Sequence, residues 1–213
     1  MRFKRTMAAV LAAAMVMSTA LTATAATSSP VTGTTQTTDA NEKDHTGNKV
    51  TATVKNNAAT VTKCVSTDSK TGKAVEFKTA TDPKTKKAVN ITVIGNGKKG
   101  VFDSKNGRKV KSLKVNSAAK KVIVKAKAFK GSKIKTITVA TKKLEIKKNA
   151  FKGTKQKSIT IKFSGKKSGS LVVKKGALKG LKKITIKGLS KKQYKKVLKK
   201  LRKAGFKGKV KRG

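Results

Sequence analysis

A four-residue pattern that returns in phase constrains the fold of this chain more than any other sequence feature. Ala128–Gly131 reads Ala-Phe-Lys-Gly, returns unchanged at Ala150–Gly153 after 22 residues, and returns as Ala-Leu-Lys-Gly at Ala177–Gly180 after 27 more. The longer interval contains a Gly- and Ser-containing insertion at 164–169. A unit this short cannot bury its own apolar side, whereas stacked copies cover one another. The pattern therefore predicts a fold built from stacked repeats.

Short runs in which every second residue is apolar flank each copy. They are Val122–Val124, Leu144–Ile146 and Leu171–Val173 before the copies, Ile137–Val139, Ile159–Ile161 and Ile184–Ile186 after them, and Leu113–Val115 as the remnant of an earlier repeat. Such alternation between Gly-containing turns predicts β-strands. We therefore expect a mainly β fold in which the strands form a short solenoid. An ordinary antiparallel sandwich is the alternative, and it predicts no in-phase return of Ala-Phe-x-Gly.

These units resemble the BspA-like leucine-rich repeats of bacterial surface and secreted proteins. That family's repeat runs roughly Leu-x-x-Ile-x-Ile, then a spacer, then Leu-x-x-Ile-x-x-x-Ala-Phe-x-Gly, and the match covers about Leu113 to Ile186. The chain departs from it at Gln156, where the first Leu is expected, and at Leu178, which replaces Phe. The third repeat is also two residues shorter after its anchor. The resemblance implies a curved leucine-rich-repeat solenoid over 111–188, used for adhesion or ligand binding, with no catalytic residues.

The N-terminus has the features of an export signal. Arg2, Lys4 and Arg5 precede an apolar run from Met7 to about Val16, and Ala23–Ala25 fits the small-x-small cleavage rule. The run is too short and too rich in Ala and Thr to favour the alternative, a membrane anchor. We therefore predict a signal peptide at 1–25 and a secreted, extracellular protein that a bacterial cell surface could retain.

Composition divides the rest of the N-terminal half. Residues 26–47 are rich in Thr and Ser without an apolar period, which predicts a flexible linker. From 48 to 110 the pattern turns to strands, as in the alternating runs Val50–Val54 and Val89–Val93. This N-terminal β region is either a separate domain or the cap of the solenoid.

The C-terminal segment, 189–213, reads as a capping helix followed by a strand. Ser190–Gln193 fits a capping box, and Leu189 and Tyr194 are spaced as a hydrophobic staple. The residues at helical spacing are Tyr194, Val197, Leu198 and Leu201; Gly205 and Phe206 suit the helix end, and Lys207–Lys211 suits a final strand. The same apolar stripe among lysines is also compatible with binding to a membrane surface.

The charge is extreme and one-sided. The chain has 55 Lys and Arg against 8 Asp and Glu, and from Ser104 to Gly213 the single acid is Glu145. Repeat alignment stacks lysines in columns, and we predict that these lysines bind the ligand: Lys125, Lys147 and Lys174; Lys130, Lys152 and Lys179; Lys111, Lys135, Lys157 and Lys182. Because internal acids are missing, a polyanionic wall polymer or acidic glycan is the expected partner. A protein ligand bound in surface adhesion is the alternative interpretation.

Two alternatives remain for such a polycation: a structural component retained in the wall, and a membrane-active cationic protein. Binding to nucleic acid would be electrostatic and without sequence specificity. After removal of the signal peptide the chain keeps three Arg, the usual bidentate reader of bases, and aromatic residues are only 4%. The composition predicts nothing about oligomeric state.

Catalytic constellations are not recognisable in the sequence. Cys64 is the single cysteine, and the single histidine, His45, lies in the predicted linker, so neither a nucleophile–base pair nor a metal-ligand spacing is present. We therefore predict a protein that is not an enzyme, with no catalytic residues, no metal site and no cofactor.

Overall fold

The structure, a computed structural model, describes residues 36–39, 48–66, 74–164 and 170–213. These residues form two β-sheets and one C-terminal helix, which confirms the prediction of a mainly β chain. They all lie within one compact unit, Thr32–Gly213. The predicted signal peptide and most of the predicted linker fall outside the described residues. Within the described residues, no helix is long and apolar enough to cross a membrane.

The N-terminal β region starts with a hairpin. The six strands that precede the repeats are β1 (Gln36–Asp39), β2 (Asn48–Lys55), β3 (Ala58–Ser66), β4 (Ala74–Phe77), β5 (Thr79–Thr81) and β6 (Ala88–Ile94). β2 and β3 pair antiparallel through a two-residue turn in which Asn56 and Asn57 have φ of 49° and 55°. Asn tolerates this left-handed conformation, and two such residues make the turn that matches the twist of a hairpin.

Strands of the repeats alternate between two sheets. A 3-10 turn at Gly107–Lys109 is followed by β7 (Ser112–Val115), β8 (Val122–Val124), β9 (Thr136–Val139), β10 (Leu144–Ile146), β11 (Ser158–Phe163), β12 (Leu171–Val173), β13 (Lys183–Lys187), α1 (Lys191–Lys203) and β14 (Lys209–Arg212). Sheet A has the order β1-β2-β3-β6-β8-β10-β12, with β5 beside β6, and sheet B has the order β4-β7-β9-β11-β13-β14. Each repeat thus contributes one strand to each sheet.

Pairing is parallel along β3-β6-β8-β10-β12 in sheet A and across all of sheet B, whereas β5 pairs antiparallel with β6. β6 of the N-terminal β region pairs directly with β8 of the first predicted repeat. The sheets therefore run without a break from the N-terminal region into the repeats.

The Ala-Phe-x-Gly turns stack on one another. Phe129 N–H donates to the Ala150 carbonyl at 3.0 Å, and Phe151 N–H donates to the Ala177 carbonyl at 3.2 Å. Gly180, at the end of the third turn, has φ of 107°, and an added Cβ would lie 2.9 Å from the Phe151 carbonyl oxygen. A side chain is disfavoured there by both backbone conformation and space. The turns are in phase, as the sequence predicts.

A column of phenylalanines fills the core between the sheets. Phe77, Phe102, Phe129 and Phe151 stack with successive ring centroids 6.1, 6.0 and 4.4 Å apart, and each is at most 2% exposed. Phe77 and Phe102 lie before Leu113, where the predicted repeats begin. The turn at Phe102 belongs to the same stack, because Val101 N–H donates to the Ala128 carbonyl at 2.9 Å. The stack is therefore longer than the sequence pattern indicated.

The second repeat departs from the predicted alignment by two residues. The Ala-Phe-x-Gly phase equates Ile137 with Ile159, but β9 and β11 pair Ile137 with Ile161. Ile134 is buried, whereas Gln156 at the equivalent position is only half-buried, and Ile159 enters the core instead. A slip of two keeps every side chain on its face of the sheet, so the polar Gln156 is accommodated without exposing the apolar row.

The linker prediction for 26–47 is wrong for four residues. Gln36–Asp39 forms β1 and pairs antiparallel with β2. The segment reads Gln-Thr-Thr-Asp, and threonine favours extended backbone. β2 would otherwise present an unpaired row of backbone groups on this side.

The C-terminal helix begins and ends as predicted. Ser190 accepts a hydrogen bond from Gln193 N–H at 3.3 Å, and the Gln193 side chain accepts one from Ser190 N–H at 3.1 Å, which completes the capping box. At the other end, Phe206 N–H donates to the Leu201 carbonyl around Gly205, whose φ is 80°.

The helix covers the last strand of sheet A, where the Lys200 ammonium donates to the Leu171 carbonyl at 3.1 Å. Val197 and Leu201 are fully buried, so most of its apolar stripe packs on the protein core. The chain then adds β14 beside β13, which confirms the predicted final strand.

Truncating one phenylalanine of the stack tests its contribution. Phe129→Ala should lower the free energy of unfolding by about 3–5 kcal/mol, because it leaves a cavity between two ring neighbours. Urea unfolding followed by circular dichroism measures this. Lys152→Ala, an exposed change in the adjacent turn, should stay within about 0.5 kcal/mol of wild type. Equal losses in the two variants would contradict the assignment of the stack as the core.

Candidate functional site

The first predicted lysine column is in phase along sheet A. Each backbone N–H of Lys125, Lys147 and Lys174 donates to the preceding repeat at 2.9 Å, to the carbonyls of Ile94, Val124 and Ile146 respectively. Parallel pairing therefore places the three residues at successive levels of the stack. They follow strands β8, β10 and β12, as the sequence predicts.

Glu145 forms ion pairs with two lysines of this column and with Lys121. Its carboxylate lies 2.6 Å from the Lys147 ammonium, 3.5 Å from that of Lys121 and 3.9 Å from that of Lys174. The Glu145 side chain is only 8% exposed. The hydrogen bond from Lys147 is the main cause that lowers the pKa of Glu145 below its ordinary value of 4.5, and the charges of the three lysines act in the same direction. Two of the three lysines in the column thus have an internal counter-ion.

The second column lies on the stacked turns. Lys130, Lys152 and Lys179 each donate their backbone N–H within their own turn, to Lys127, Asn149 and Gly176. All three residues are exposed. Lys130 differs from the other two because its ammonium lies 3.8 Å from the Asp103 carboxylate. The structure brings this column together as predicted, with one member partly neutralised.

The third column divides into two pairs. Lys135 N–H donates to the Lys111 carbonyl, and Lys182 N–H donates to the Lys157 carbonyl, each at 2.7 Å. Between the pairs, the Lys135 carbonyl accepts from Thr160 rather than from the residue after Lys157. The prediction of one continuous column of four is therefore wrong, because β11 is displaced by the two-residue slip described above.

Other lysines are in register on sheet B. Lys162 pairs with Lys187 between β11 and β13, and Lys183 pairs with Lys209 between β13 and β14. They do not form a lysine column through all the repeats, because Thr138 is the β9 partner of Lys162, and the repeat alignment therefore does not reveal them. The signal that finds them is the alternation within β11 and β13, which places Lys162 and Lys187 beside buried Ile161 and Ile186.

The remaining acids with described side chains are also engaged locally. Glu76 lies 3.2 Å from the Lys114 ammonium and accepts a hydrogen bond from Asn116, and Asp103 is shared by Lys130 and Arg108. Asp82 accepts hydrogen bonds from Lys84 N–H and from the Thr85 hydroxyl in its own turn, and the bond from Lys84 is the main cause that lowers its pKa. Among the described side chains, little acid is therefore left to neutralise the other lysines.

Nucleophilic chemistry is disfavoured at the cysteine. Cys64 is fully buried on β3, and burial raises the pKa of its thiol to about 12, so it stays protonated at neutral pH. Among the described residues, no group of three His, Cys, Asp or Glu side chains is placed to hold a metal ion. His45 lies outside the described residues.

Glu145→Gln tests the carboxylate that three lysines share. At pH 7 the variant should lose about 1–3 kcal/mol of unfolding free energy, because the lysines lose their charged acceptor. Since the folded-state pKa is lowered, the difference from wild type should be complete above about pH 4.5 and disappear as the pH falls below the folded-state pKa.

Urea unfolding at several pH values measures this difference. Lys148→Gln, an exposed neighbour, should show no such pH dependence. A constant wild-type advantage down to the most acidic pH at which the protein folds would contradict the assignment.

No protein-family model matches the chain, and neither a curated protein nor a solved structure shows significant similarity to it.

Proposed function

We propose that this chain is an exported, non-catalytic cationic repeat protein that binds polyanions, such as wall polymers or acidic glycans, at a bacterial cell surface. For its fold we propose a short leucine-rich-repeat solenoid of the BspA-like kind. Support for that fold comes from the in-phase Ala-Phe-x-Gly turns and from the parallel pairing of the repeat strands in two sheets that share one phenylalanine core.

Positive charge without internal counter-ions carries the functional proposal. The chain has 55 Lys and Arg against 8 acids. Glu145 already forms ion pairs with three lysines, Asp103 forms ion pairs with Arg108 and Lys130, and Glu76 forms one with Lys114. Solvated protein surfaces normally mix both signs of charge. An external polyanion would supply the charge that the chain lacks.

Stacking makes this charge costly. Adjacent strands stand about 4.8 Å apart, and two unit charges at about 4 Å repel by roughly 1 kcal/mol even in water. Salt and side-chain motion reduce the repulsion at each pair. Summed over the stack, the effect is still sizeable beside a typical domain stability of about 5–15 kcal/mol. A polyanion that lies on the stack would relieve it.

The alternative functions predict different binding behaviour or require different surfaces. A structural polycation retained in the wall would bind any polyanion equally and would leave cells in high salt. A membrane-active protein needs an exposed apolar face, but Val197 and Leu201 of α1 are buried in the core. Surface adhesion through a protein ligand would not depend on polyanion charge.

Thermal melting at low salt tests the proposal. Polyphosphate at about one hundred times its dissociation constant should stabilise the mature protein by about 2.7 kcal/mol, which raises Tm by at least about 5 °C. Neutral dextran should leave Tm unchanged. Inorganic phosphate at equal phosphate concentration should act only weakly, because it cannot bridge several lysines. An unchanged Tm with polyphosphate and with a heparin-like chain would count against polyanion binding.

A further inference from the structure

A continuous row of hydroxyl side chains crosses the outer face of sheet B. Parallel register places Ser112, Thr136, Thr160 and Thr185 side by side on β7, β9, β11 and β13, and Lys211 of β14 continues the row. Their strand neighbours at alternate positions are buried, so this threonine row, Ser112, Thr136, Thr160 and Thr185, faces outward. The four residues are half-buried, and none donates a side-chain hydrogen bond to another described residue.

Lysines line both sides of the row. Lys162 and Lys187 are cross-strand partners on one side, and Lys183 and Lys209 are cross-strand partners on the other. Residues two apart on a strand point to the same face about 6.6 Å apart, so Thr185 lies between Lys183 and Lys187 of its own strand. These four residues are the flanking lysines. Together with the hydroxyls they form a band of donors across β11, β13 and β14.

This end of sheet B has no counter-ion of its own. Among the strands of sheet B, which all belong to the described residues, the only acid is Glu76 of β4, at the opposite edge, where it pairs with Lys114. Sheet A differs, because Glu145 lies on β10, the strand next to its edge strand β12, among Lys121, Lys147 and Lys174. The two faces therefore differ in how much positive charge they leave uncompensated.

The donor types favour a tetrahedral oxyanion such as phosphate over a carboxylate. Lysine ammonium is a point-charge partner for phosphate, whereas planar carboxylates are best matched by the arginine fork. The one arginine on these strands, Arg212, already donates to the Leu189 carbonyl at 3.4 Å. The outward positions of β7 to β14 in sheet B carry no aromatic side chain on which a base or a sugar ring could stack. Free hydroxyls add neutral donors to phosphate oxygens.

We propose that a linear phosphate polymer without bases lies across the strands of sheet B, along the threonine row and between the flanking lysines. This assignment rests on the proposed polyanion binding and places it on one face. From Ser112 to Lys211 the row crosses four strand intervals, or about 19 Å. Binding should therefore strengthen with polymer length until the chain spans the row, and should rise more slowly beyond that length.

Two matched variants locate the face. Lys162→Gln/Lys183→Gln/Lys187→Gln removes three charges beside the threonine row, and Lys98→Gln/Lys142→Gln/Lys148→Gln removes three exposed charges outside sheet B and outside the predicted lysine columns. Anisotropy of end-labelled polyphosphate of defined length, over a salt series, measures the affinity of each. The first variant should lose at least about tenfold in affinity, and the slope of log affinity against log salt should fall by roughly two to three. The control should lose less than about threefold.

Thr160→Val/Thr185→Val is a second variant that keeps charge and strand propensity. It should weaken polyphosphate binding by about threefold or more without changing the salt slope, because only neutral hydrogen bonds are lost. An unchanged affinity in this variant would remove the threonine row from the site. Circular dichroism confirms that each variant folds.

The outcomes separate the two levels of the proposal. Equal losses in the two lysine variants would overturn the assignment to sheet B and leave general polyanion binding intact. No binding of polyphosphate by wild type, at any length and low salt, would overturn both. Tighter binding of poly-glutamate, or of oligo(dT) at equal charge, would overturn the choice of a base-free phosphate polymer.

Discussion

Backbone hydrogen bonds between successive turns and strands hold this fold together against its own charge. Phe129 bonds to Ala150 and Phe151 to Ala177 in the turns, and nine parallel strand pairings extend the same order through both sheets. The stacked rings of Phe77, Phe102, Phe129 and Phe151 supply the apolar core behind them. These local, repeated contacts force lysines of successive repeats to lie near one another.

Much of the fold follows from the sequence because each repeat carries its own local signals. The Ala-Phe-x-Gly turns and the capping box at Ser190 are short-range patterns, and both are present. The register of β11 was mispredicted because it depends on a tertiary fact, namely that Ile159 rather than Gln156 fills the core. Phe77 and Phe102 escaped notice for a similar reason, since only the stack reveals that they continue the column.

The placement of the lysine columns follows from the sequence in outline but not in detail. Two lysine columns are in phase. However, Lys147 and Lys174 form ion pairs with Glu145, and Lys130 forms one with Asp103. A one-dimensional alignment counts such lysines as free. Register places Lys162, Lys183 and Lys187 instead on the outer face of sheet B. The strands β7, β9, β11, β13 and β14 of that sheet carry no acid. Ion pairs that the fold sets thus decide which lysines of a strongly basic chain keep an uncompensated charge.

Uncompensated repulsion in the folded stack is the central physical claim, and its dependence on salt tests it most directly. The unfolded chain has the same charges spread over a larger volume, so screening should help the folded state more. Urea unfolding of the protein without any polyanion should give a free energy of unfolding that rises between about 0.01 M and about 0.5 M NaCl. A free energy that stays constant or falls over this range would contradict the account.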